Sequence, residues 1–482
     1  MQGKIIDVRI NRSTLIIGCR GLAEIYLQNK EGSEVIRPSF CKQNEDNIEA
    51  WFNLASCHKG RCMPQGKWQV VGAECDGTEP ILADYSKGSC TFAISAEAEG
   101  NSLVITCRYT PTKTGLRDKI TTLGLRLPYC LGRLLRGKGR RILFASETRS
   151  SLSGNMECVV KAAEGDFGGN KLLYSFKKGK RLPYYLKTAF LAGRCHTLVV
   201  DDYFPLVYRL DFKGDRVIQL WHACGAFKTV GYSRLGKSGA PQPDDITHRN
   251  YTLVTVSGDE FIPYYAEAFG ISADKVIATG VPRTDIFFDQ GYRRAKQAEF
   301  ENRFPDFKGK QIILFAPTFR GDGFNSAHYP NEYVDFDGLA EYCRQSNSAI
   351  IFKMHPFVKN FVIPFGYEDV FDDAGDMREI NDLLFAADLL ITDYSSVIYE
   401  YSLLNKPLIF YTPDMTEYCQ SRDLYMPFEE YSKNCAVFSS DNLISLLKSG
   451  NYKSFSGEHI RRGSMSACDG NSSKRVADII FN

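Results

Sequence analysis

Five apolar segments after residue 215 are each followed at once by side chains that can bind phosphate or transfer a proton. An imidazole accepts a proton near neutral pH, and ammonium, guanidinium and hydroxyl groups donate hydrogen bonds to phosphate oxygens. Together, such groups can hold a diphosphate and deprotonate a hydroxyl. The candidates are, in chain order, His222, Lys228, Arg283, Thr318, Arg320, His355, Ser395 and Ser396.

The segment 388–414 shows how one group of candidates would be positioned. Its pattern predicts strand, turn, helix and strand in succession, with Ser395 and Ser396 in the turn. A helix N-terminus carries unpaired backbone N–H groups, so the turn predicts an anion site beside Asp393, with Glu400 about one helical turn further on. An alternative is that the two serines only cap the helix.

Most candidates also have a purely structural interpretation. A histidine beside a glycine-containing turn or a proline, as at His222 and His355, can be a buried structural residue. Arg283 and Arg320 could form ion pairs between domains, and Lys228 could face solvent.

The two carboxylates near these motifs have similar alternatives. Asp285, two residues after Arg283, could cap the helix that follows. Glu400 could lie on the surface of its helix.

Several kinds of site are not supported by the sequence. It contains neither the G-x-x-x-x-G-K-[ST] loop nor the G-x-G-x-x-G fingerprint. No cluster of carboxylates suggests a pair of metal ions, and the spacing of the 15 cysteines matches no zinc site. We therefore expect neither a metal nor a cofactor.

The candidates follow strands of two predicted α/β domains. Short apolar runs alternate with helical or polar segments from about residue 140, and the alternation restarts after a polar helical stretch at 287–310. This alternation predicts parallel sheets, which bind ligands at the carboxyl ends of their strands. We predict two doubly wound, Rossmann-like domains, at 116–295 and 296–482, facing a shared cleft. The predicted strands are 141–145, 197–201, 216–221, 252–256 and 276–279, then 311–316, 349–354, 389–392, 408–411 and 435–438.

Residues 1–115 have a different pattern. Short β-prone runs are broken by Gly, Asn and Asp at intervals typical of hairpins, and no helical pattern appears. The sequence predicts a small antiparallel β domain here, to which we assign no function. The predicted strands are 13–19, 23–28, 68–72, 89–94 and 103–109.

Composition and charge limit the partners. The 59 basic and 57 acidic residues leave a net charge of +2, so nothing attracts the whole chain to nucleic acid. No apolar run reaches the roughly 18 residues of a membrane span, and residues 1–12 do not resemble a secretory signal. An odd number of cysteines, 15, favours free thiols in the cytoplasm over a disulfide framework. The oligomeric state is left open.

Two basic stretches, 117–141 and 171–194, interrupt this neutral background. Both interleave Lys and Arg with leucines or aromatic residues. This combination is typical of proteins that lie on an anionic membrane surface without entering it. A solvated helix face or a linker is the alternative.

The motifs HACGAFKTVGYS, TGVPRTD, ILFAPTFR, KMHP and LLITDYSSVIYEYSLLNKPLIFY resemble, in order and spacing, those of the CDP-glycerol glycerophosphotransferase family. This family contains teichoic-acid primases and polymerases. The resemblance covers about residues 140–450, so the N-terminal β-rich part lies outside it. It implies a GT-B type fold, a CDP-activated polyol donor and a lipid-linked acceptor.

The resemblance also implies roles for individual residues. His222 matches the family's proposed general base, and His355 matches a second essential histidine near the donor phosphates. Lys228, Arg283, Arg320, Ser395 and Ser396 match positions that bind the donor, Glu400 is assigned to the same group, and Asp285, Thr318 and Asp393 support them. The chain departs from the usual motif at Ala223, Cys224 and Thr284.

The sequence therefore predicts an enzyme that transfers glycerol phosphate or ribitol phosphate from a CDP-polyol to a hydroxyl of a lipid-linked or polymer acceptor. CMP would be released, and the product would be a teichoic acid or a capsule. The enzyme is expected in the cytoplasm, bound peripherally to the inner face of the cell membrane. The alternatives are a GT-B sugar-nucleotide glycosyltransferase or epimerase, and a non-catalytic envelope-associated binding protein.

Overall fold

The computed structural model describes residues 3–21, 24–44, 46–75, 81–87, 90–111, 115–235, 241–321, 325–377, 379–421, 423–433 and 435–482 of the chain. Its strands form four sheets. Two sheets are built from residues before 110, and the other two are parallel sheets built from the rest of the chain.

The first eleven strands form one five-stranded and one six-stranded sheet, with orders β5-β6-β2-β1-β8 and β4-β3-β7-β11-β10-β9. All described pairs are antiparallel except the short β1–β8 pair. Alternate residues of β7, Trp68 and Val70, are buried, as expected for a half-buried strand. Two predicted strands begin at Ala23 and Ser89, which lie outside the described residues. The strands are β1 (Gly3–Asn11), β2 (Thr14–Arg20), β3 (Tyr26–Asn29), β4 (Val35–Ile36), β5 (Phe40–Asn44), β6 (Asn47–Asn53), β7 (Gly66–Val71), β8 (Ala73–Glu74), β9 (Ile81–Lys87), β10 (Cys90–Glu99) and β11 (Ser102–Tyr109).

The third sheet is parallel and has the order β13-β12-β14-β15-β16-β17. Every residue of β14 is buried, because helices cover both faces of such a sheet. The basic stretch 171–194 divides into a strand, β13, and a helix, α3. Strand β13 was not predicted, because its lysine and aromatic residues suggested a surface segment. The elements are α1 (Leu116–Leu134), β12 (Arg141–Ser146), α2 (Gly154–Ala162), β13 (Lys171–Phe176), α3 (Arg181–Arg194), β14 (Thr197–Val200), α4 (Leu206–Arg209), β15 (Arg216–Gln219), β16 (Leu253–Val256), α5 (Ile262–Phe269) and β17 (Val276–Ala278).

The fourth sheet is also parallel, with the order β20-β19-β18-β21-β22-β23. Renumbered from its first strand, this is the 3-2-1-4-5-6 order of doubly wound nucleotide-binding folds. Strands β21 and β22 have the predicted bounds, whereas the helix predicted over 397–404 ends at Ser402. The elements are α6 (Gln290–Arg303), β18 (Gln311–Phe315), α7 (Phe336–Ser346), β19 (Ser348–Phe352), β20 (Phe371–Asp373), α8 (Ile380–Leu384), β21 (Leu389–Thr392), α9 (Val397–Ser402), β22 (Leu408–Tyr411), α10 (Met415–Ser421), α11 (Phe428–Ser432), β23 (Ala436–Val437), α12 (Ser440–Ser449), α13 (Glu458–Ser464) and α14 (Ser472–Phe481).

The last helix, α14, lies against the first parallel sheet although it follows the second one in the chain. Its apolar face, which includes Val476 and Ile480, packs on Ile142 and Phe144 of β12. Both carboxylate oxygens of Asp285 accept backbone N–H groups at the start of α14, at 3.0 and 2.7 Å. Asp285 thus satisfies amides that have no partner inside the helix. It caps this distant helix, and not the helix that follows it in the chain.

The β-rich part contacts both α/β parts through Arg12, at the turn between β1 and β2. The Arg12 side chain donates to Glu267 of α5 at 2.9 Å and to the carbonyl of Tyr425 at 3.0 Å. Its guanidinium also lies over the Tyr264 and Tyr425 rings, 5.5 and 4.9 Å from their centroids. The Arg12 side chain, which is 11% exposed, therefore joins three parts of the chain.

Helices α1 and α3 pack closely and leave one face of α1 exposed. A Cβ atom at Gly132 would lie only 2.2 Å from the carbonyl oxygen of Phe190, so the close approach requires glycine. None of the helices within the described ranges is both long and apolar enough to cross a membrane. The exposed face of α1 carries six large apolar side chains at helical spacing, each 50–83% exposed: Leu116, Ile120, Leu123, Leu127, Leu131 and Leu134.

Candidate active site

A cavity of about 490 Å³ opens between the carboxyl ends of the two parallel sheets. The loop after β15 forms one side, and the loops after β18, β19 and β21 form the other. Parallel strands end at the same edge of a sheet, which is why residues far apart in sequence meet here. Eight of the predicted residues line the cavity: His222, Lys228, Arg283, Thr318, His355, Ser395, Ser396 and Glu400.

His222 is half-exposed in the cavity, and its Nδ1 atom lies 3.3 Å from Oδ1 of Asp202. Burial by itself would raise the pKa of Asp202, but hydrogen bonding to His222 and the charge of that ring outweigh burial and lower the pKa. A carboxylate at Nδ1 keeps the proton on that nitrogen and leaves Nε2 as an acceptor. Asp202 was not among the predicted site residues, although it directly follows the predicted strand 197–201.

Asn155, at the start of α2, connects two segments of the site. Its side-chain amide donates to the carbonyl of Trp221 at 2.7 Å and accepts from the backbone N–H of Arg283 at 3.0 Å. Trp221 has a φ of 53°, in the left-handed region that residues other than glycine rarely adopt. Asn155 is fully buried and therefore fixes the backbone on either side of the cavity. No pattern in the sequence indicates this role, because the three residues meet only in the folded chain.

His355 lies opposite the His222 loop. Burial lowers the pKa of His355 below its ordinary value, and the charges of Lys228 and Lys353 lower it further. Its Nδ1 accepts the backbone N–H of Phe357 at 3.2 Å, so the proton of the neutral ring lies on Nε2. The Phe319 ring packs against the imidazole, with 4.8 Å between the two ring centroids. His355 is therefore arranged as a neutral hydrogen-bond donor.

Lys353 is a second lysine at the cavity that the sequence analysis did not single out. Its side chain is 5% exposed, and burial lowers its pKa although Asp373 and Asp376 act in the opposite direction. The residue stands in the KMHP motif, two positions before His355. It directly follows β19 in the structure, whereas the predicted strand 349–354 included it, so no strand end marked it in the sequence.

Arg283 and Glu400 form a buried ion pair between the two α/β parts. Arg283 Nη2 donates to Oε1 of Glu400, and the side chains are 23% and 3% exposed. Burial disfavours the charge on Arg283, but the carboxylate of Glu400 outweighs burial and raises the pKa of Arg283. Nε of Arg283 and Oε2 of Glu400 are buried without a hydrogen-bond partner among the residues that the structure describes. The interdomain ion pair considered for Arg283 is therefore present.

Arg320, Asp393 and Asp285 do not line the cavity. Arg320 donates to Asp393 at 2.8 Å and to the two oxygens of Asp414 at 2.5 and 2.9 Å. Asp393 in turn accepts the backbone N–H of Thr318 at 2.7 Å. Arg320 and Asp393 thus hold the loop after β18 in place from behind, within one α/β part and not between the two. A direct contact of Arg320 or Asp393 with a ligand stays a prediction.

The start of α9 faces the cavity with two hydroxyl groups. Ser396 makes no hydrogen bond that caps the helix, and Ser395 Oγ accepts only a long bond of 3.4 Å from Val397 N–H. The helix is held against the His222 loop at Gly225, whose φ is 63°. A Cβ atom at this glycine would lie 2.2 Å from the Tyr399 ring. Close packing of the two halves therefore places the serines at the cavity.

The two parallel sheets, with a basic cavity between the carboxyl ends of their strands, have the arrangement of α/β proteins that bind ligands at strand ends. A family profile described as CDP-Glycerol:Poly(glycerophosphate) glycerophosphotransferase matches residues 129–482, and the chain belongs to this family. The family predicted from the sequence is confirmed.

Curated relatives are teichoic-acid enzymes. The chain is 43% identical over 426 residues to the teichoic acid ribitol-phosphate polymerase TarK of Staphylococcus aureus (strain NCTC 8325 / PS 47), covering 84% of this chain and 81% of TarK. It is 43% identical over 369 residues to TarL of the same strain, a teichoic acid ribitol-phosphate polymerase, covering 71% of this chain and 63% of TarL. The chain therefore spans less than two thirds of the length of TarL.

The solved structure of the wall teichoic acid polymerase TagF shares the fold. The TM-score is 0.60 and the identity 20%, with 76% of this chain and 96% of that chain covered. At this identity the likeness concerns the fold alone.

Proposed function

We propose that the chain transfers a polyol phosphate from a CDP-polyol to a hydroxyl of a teichoic-acid acceptor and releases CMP. The family membership supports the reaction class. The names of the relatives favour ribitol phosphate, because those with 41–43% identity are ribitol-phosphate polymerases, whereas the glycerol-phosphate enzymes are 29–31% identical. The observation that carries the proposal is that His222, paired with Asp202, lines one cavity with four groups able to bind phosphate: Lys228, Lys353, His355 and Ser395.

His222 acts as the general base. With Asp202 at Nδ1, the Nε2 atom is the nitrogen that takes the proton from the acceptor hydroxyl. The freed oxygen attacks the phosphorus that bears the polyol, a new P–O bond forms, and the bond to the CMP oxygen breaks on the opposite side. Asp202 stabilises the imidazolium that forms, because its carboxylate is already ionised.

The opposite wall of the cavity holds the diphosphate. His355 donates from Nε2, and because its pKa is lowered it remains a neutral donor when the two lysines beside it are charged. Ser395 and Ser396 add hydroxyl donors. Negative charge spreads over the phosphate oxygens in the transition state, and each prearranged donor contributes about 3 kcal/mol to such a site.

Arg283 and Glu400 couple donor binding to the alignment of the two α/β parts. Both residues line the cavity, and Nε of Arg283 and Oε2 of Glu400 are buried without a hydrogen-bond partner among the described residues. We infer that the parts correspond to the domains 116–295 and 296–482 of a GT-B type enzyme, with α14 returning to the first. The first domain would then bind the acceptor, and the second domain would bind the CDP moiety.

The exposed face of α1 is the membrane-binding surface in this proposal. Six apolar side chains along a helix of roughly 28 Å, flanked by arginines and lysines, match an amphipathic helix lying in the headgroup region of an anionic bilayer. The enzyme would then act at the inner face of the cell membrane. Leu123→Asp with Leu127→Asp should abolish sedimentation with anionic vesicles. Val362→Asp with Phe365→Asp, at two exposed apolar residues of the second α/β part, should leave it unchanged.

The reaction is tested by incubating the purified chain with CDP-ribitol or CDP-glycerol and a lipid-linked acceptor. We expect CMP release and a product heavier by ribitol phosphate units in the mass spectrum. His222→Ala should lower turnover at least about a hundredfold while CDP still raises the melting temperature. Absence of CMP release from both donors, or stronger thermal protection by UDP than by CDP, would refute the proposal.

A further inference from the structure

A second cavity, of about 400 Å³, lies between α1, the start of α3 and the loop that follows β14. We call it the side cavity. Its walls are mostly apolar and include Leu125, Leu182, Tyr203 and Tyr208, with Arg181 and Arg209 among the lining residues. The volume lies within the range of small-molecule pockets.

The side cavity adjoins both the active site and the exposed apolar face. Tyr203 lines the side cavity and directly follows Asp202, the residue that pairs with His222. The Asp202 carboxylate accepts the backbone N–H of Tyr203 at 2.7 Å. At the other side, Leu182 is 66% exposed at the start of α3. The side cavity therefore lies between α1, which carries the exposed leucines, and the residue that follows Asp202.

The two arginines of the side cavity differ in exposure. Arg209 donates to Thr122 and to the carboxylate of Asp118, both at 3.0 Å, so it is fixed against α1. Arg181 is 66% exposed, against 14% for Arg209; it donates to the Tyr185 hydroxyl at 3.2 and 3.3 Å and pairs with Glu147 at 3.1 Å. An exposed guanidinium of this kind can turn toward a phosphate, with which it forms two parallel hydrogen bonds.

We propose that the side cavity binds the lipid part of the acceptor, an apolar chain that carries a phosphate head. The chain would lie between the leucine and tyrosine side chains, and the phosphate would bind Arg181 at the rim. The described lining contains no carboxylate or carboxamide. Apolar walls with a guanidinium at the rim complement an amphiphile better than a bare polyol chain. This inference rests on the proposed transferase function.

Direct binding tests the proposal without requiring activity. Farnesyl phosphate, an apolar chain of three isoprene units with a phosphate head, is titrated against the full chain by calorimetry below its aggregation concentration. Farnesol tests the chain alone, glycerol phosphate tests the head alone, and dihexanoyl phosphatidylglycerol tests an ordinary membrane lipid. We expect farnesyl phosphate to bind at least about tenfold more tightly than each of the other three.

Two tryptophan variants on the same helix provide the matched comparison. Thr121 lines the side cavity and is exposed, so Thr121→Trp fills the cavity without removing a core side chain and should weaken binding at least about tenfold. Gly124 is exposed and does not line the cavity, and a Cβ atom at this position would meet no neighbouring atom within 4 Å, so Gly124→Trp should bind normally. Arg181→Gln should weaken farnesyl phosphate binding several-fold and leave farnesol binding unchanged.

Several outcomes would overturn the assignment. They are unchanged affinity in Thr121→Trp, equal loss in Gly124→Trp, or phosphatidylglycerol or glycerol phosphate binding as tightly as farnesyl phosphate. Failure of the transferase proposal is recognised separately, because the unmodified chain would then release no CMP from CDP-ribitol with a soluble ribitol-phosphate oligomer as acceptor. If that reaction proceeds, Thr121→Trp should retain it while the KM for the lipid-linked acceptor rises at least about tenfold.

Discussion

Replacing Asp202 with asparagine tests the central pair of the site. The amide oxygen of asparagine can still accept the Nδ1 proton of His222, so the ring keeps its orientation. What is lost is the negative charge 3.3 Å from the ring, which would stabilise the imidazolium that forms as the acceptor hydroxyl loses its proton. The variant therefore separates charge from position.

The structure sets the size of the effect. Two unit charges at the 3.3 Å of this pair interact by about 1.3 kcal/mol in water and by about 5 kcal/mol at an effective dielectric constant of about 20. His222 is 47% and Asp202 26% exposed, so solvent screening places the effect in the lower part of this range, about 1.5–3 kcal/mol. The expected loss of kcat is about tenfold to somewhat over a hundredfold.

The assay is CMP release at saturating CDP-ribitol, with thermal protection by CDP as the measure of donor binding. Asp202→Asn should leave CDP protection unchanged. Asp202→Glu, which restores the charge but changes its position, should recover part of kcat. If Asp202→Asn turns over at the native rate, the pair does not assist the base. A loss of CDP protection equal to the loss of kcat would show that Asp202 only supports the donor site.

Three further predictions concern stability and domain alignment. Glu400→Gln leaves the Arg283 charge buried without its negatively charged partner. The free energy of unfolding, measured with urea, should therefore fall by about 3–5 kcal/mol, and an unchanged value would contradict a stabilising pair. Gly225→Ala should lower both the free energy of unfolding and the affinity for the donor, because the new Cβ would lie 2.2 Å from the Tyr399 ring. Gly309 also has a positive φ but lies in open space, so Gly309→Ala should lower the free energy of unfolding only by the backbone penalty of about 1 kcal/mol. Burial lowers the pKa of His248 to about 4, so this residue contributes stability at neutral pH that is lost as the pH falls from about 6.5 toward 4. The loss at pH 5 should be roughly 2 kcal/mol, and His248→Phe, compared with the native chain by urea unfolding at pH 7 and 5, should remove that part of the pH dependence.

The positions of the strands and of most site residues could be predicted because they depend on local patterns. Short apolar runs followed by polar turns mark strand ends, and β21 and β22 were predicted with the bounds that the structure has. His222, His355 and Ser395 were found because each follows such a run directly. Asp202 obeys the same rule, because it directly follows the predicted strand 197–201, whereas Lys353 lay inside the predicted strand 349–354 and follows a strand end only in the structure.

Arg320 and Asp393 show why a residue's type and place in the sequence are insufficient to define its role. Both stand at strand ends like their neighbours, yet they pair with each other behind the loop that carries Thr318. Whether a guanidinium faces the cavity or the interior depends on which carboxylates lie nearby. Asp414, which completes this pairing, comes from a different loop.

The sequence by itself determined the family, the two parallel α/β sheets and the kinds of side chain that meet at their edges, because apolar periodicity and motif spacing are local properties of the chain. Only the tertiary structure decided that α14 returns to the first sheet, that Arg283 is neutralised by Glu400, and that Asn155 holds two site segments together. Those features depend on contacts between residues more than 60 positions apart. Such contacts form where burial and hydrogen bonding are satisfied together, a condition that the linear order of residues does not contain.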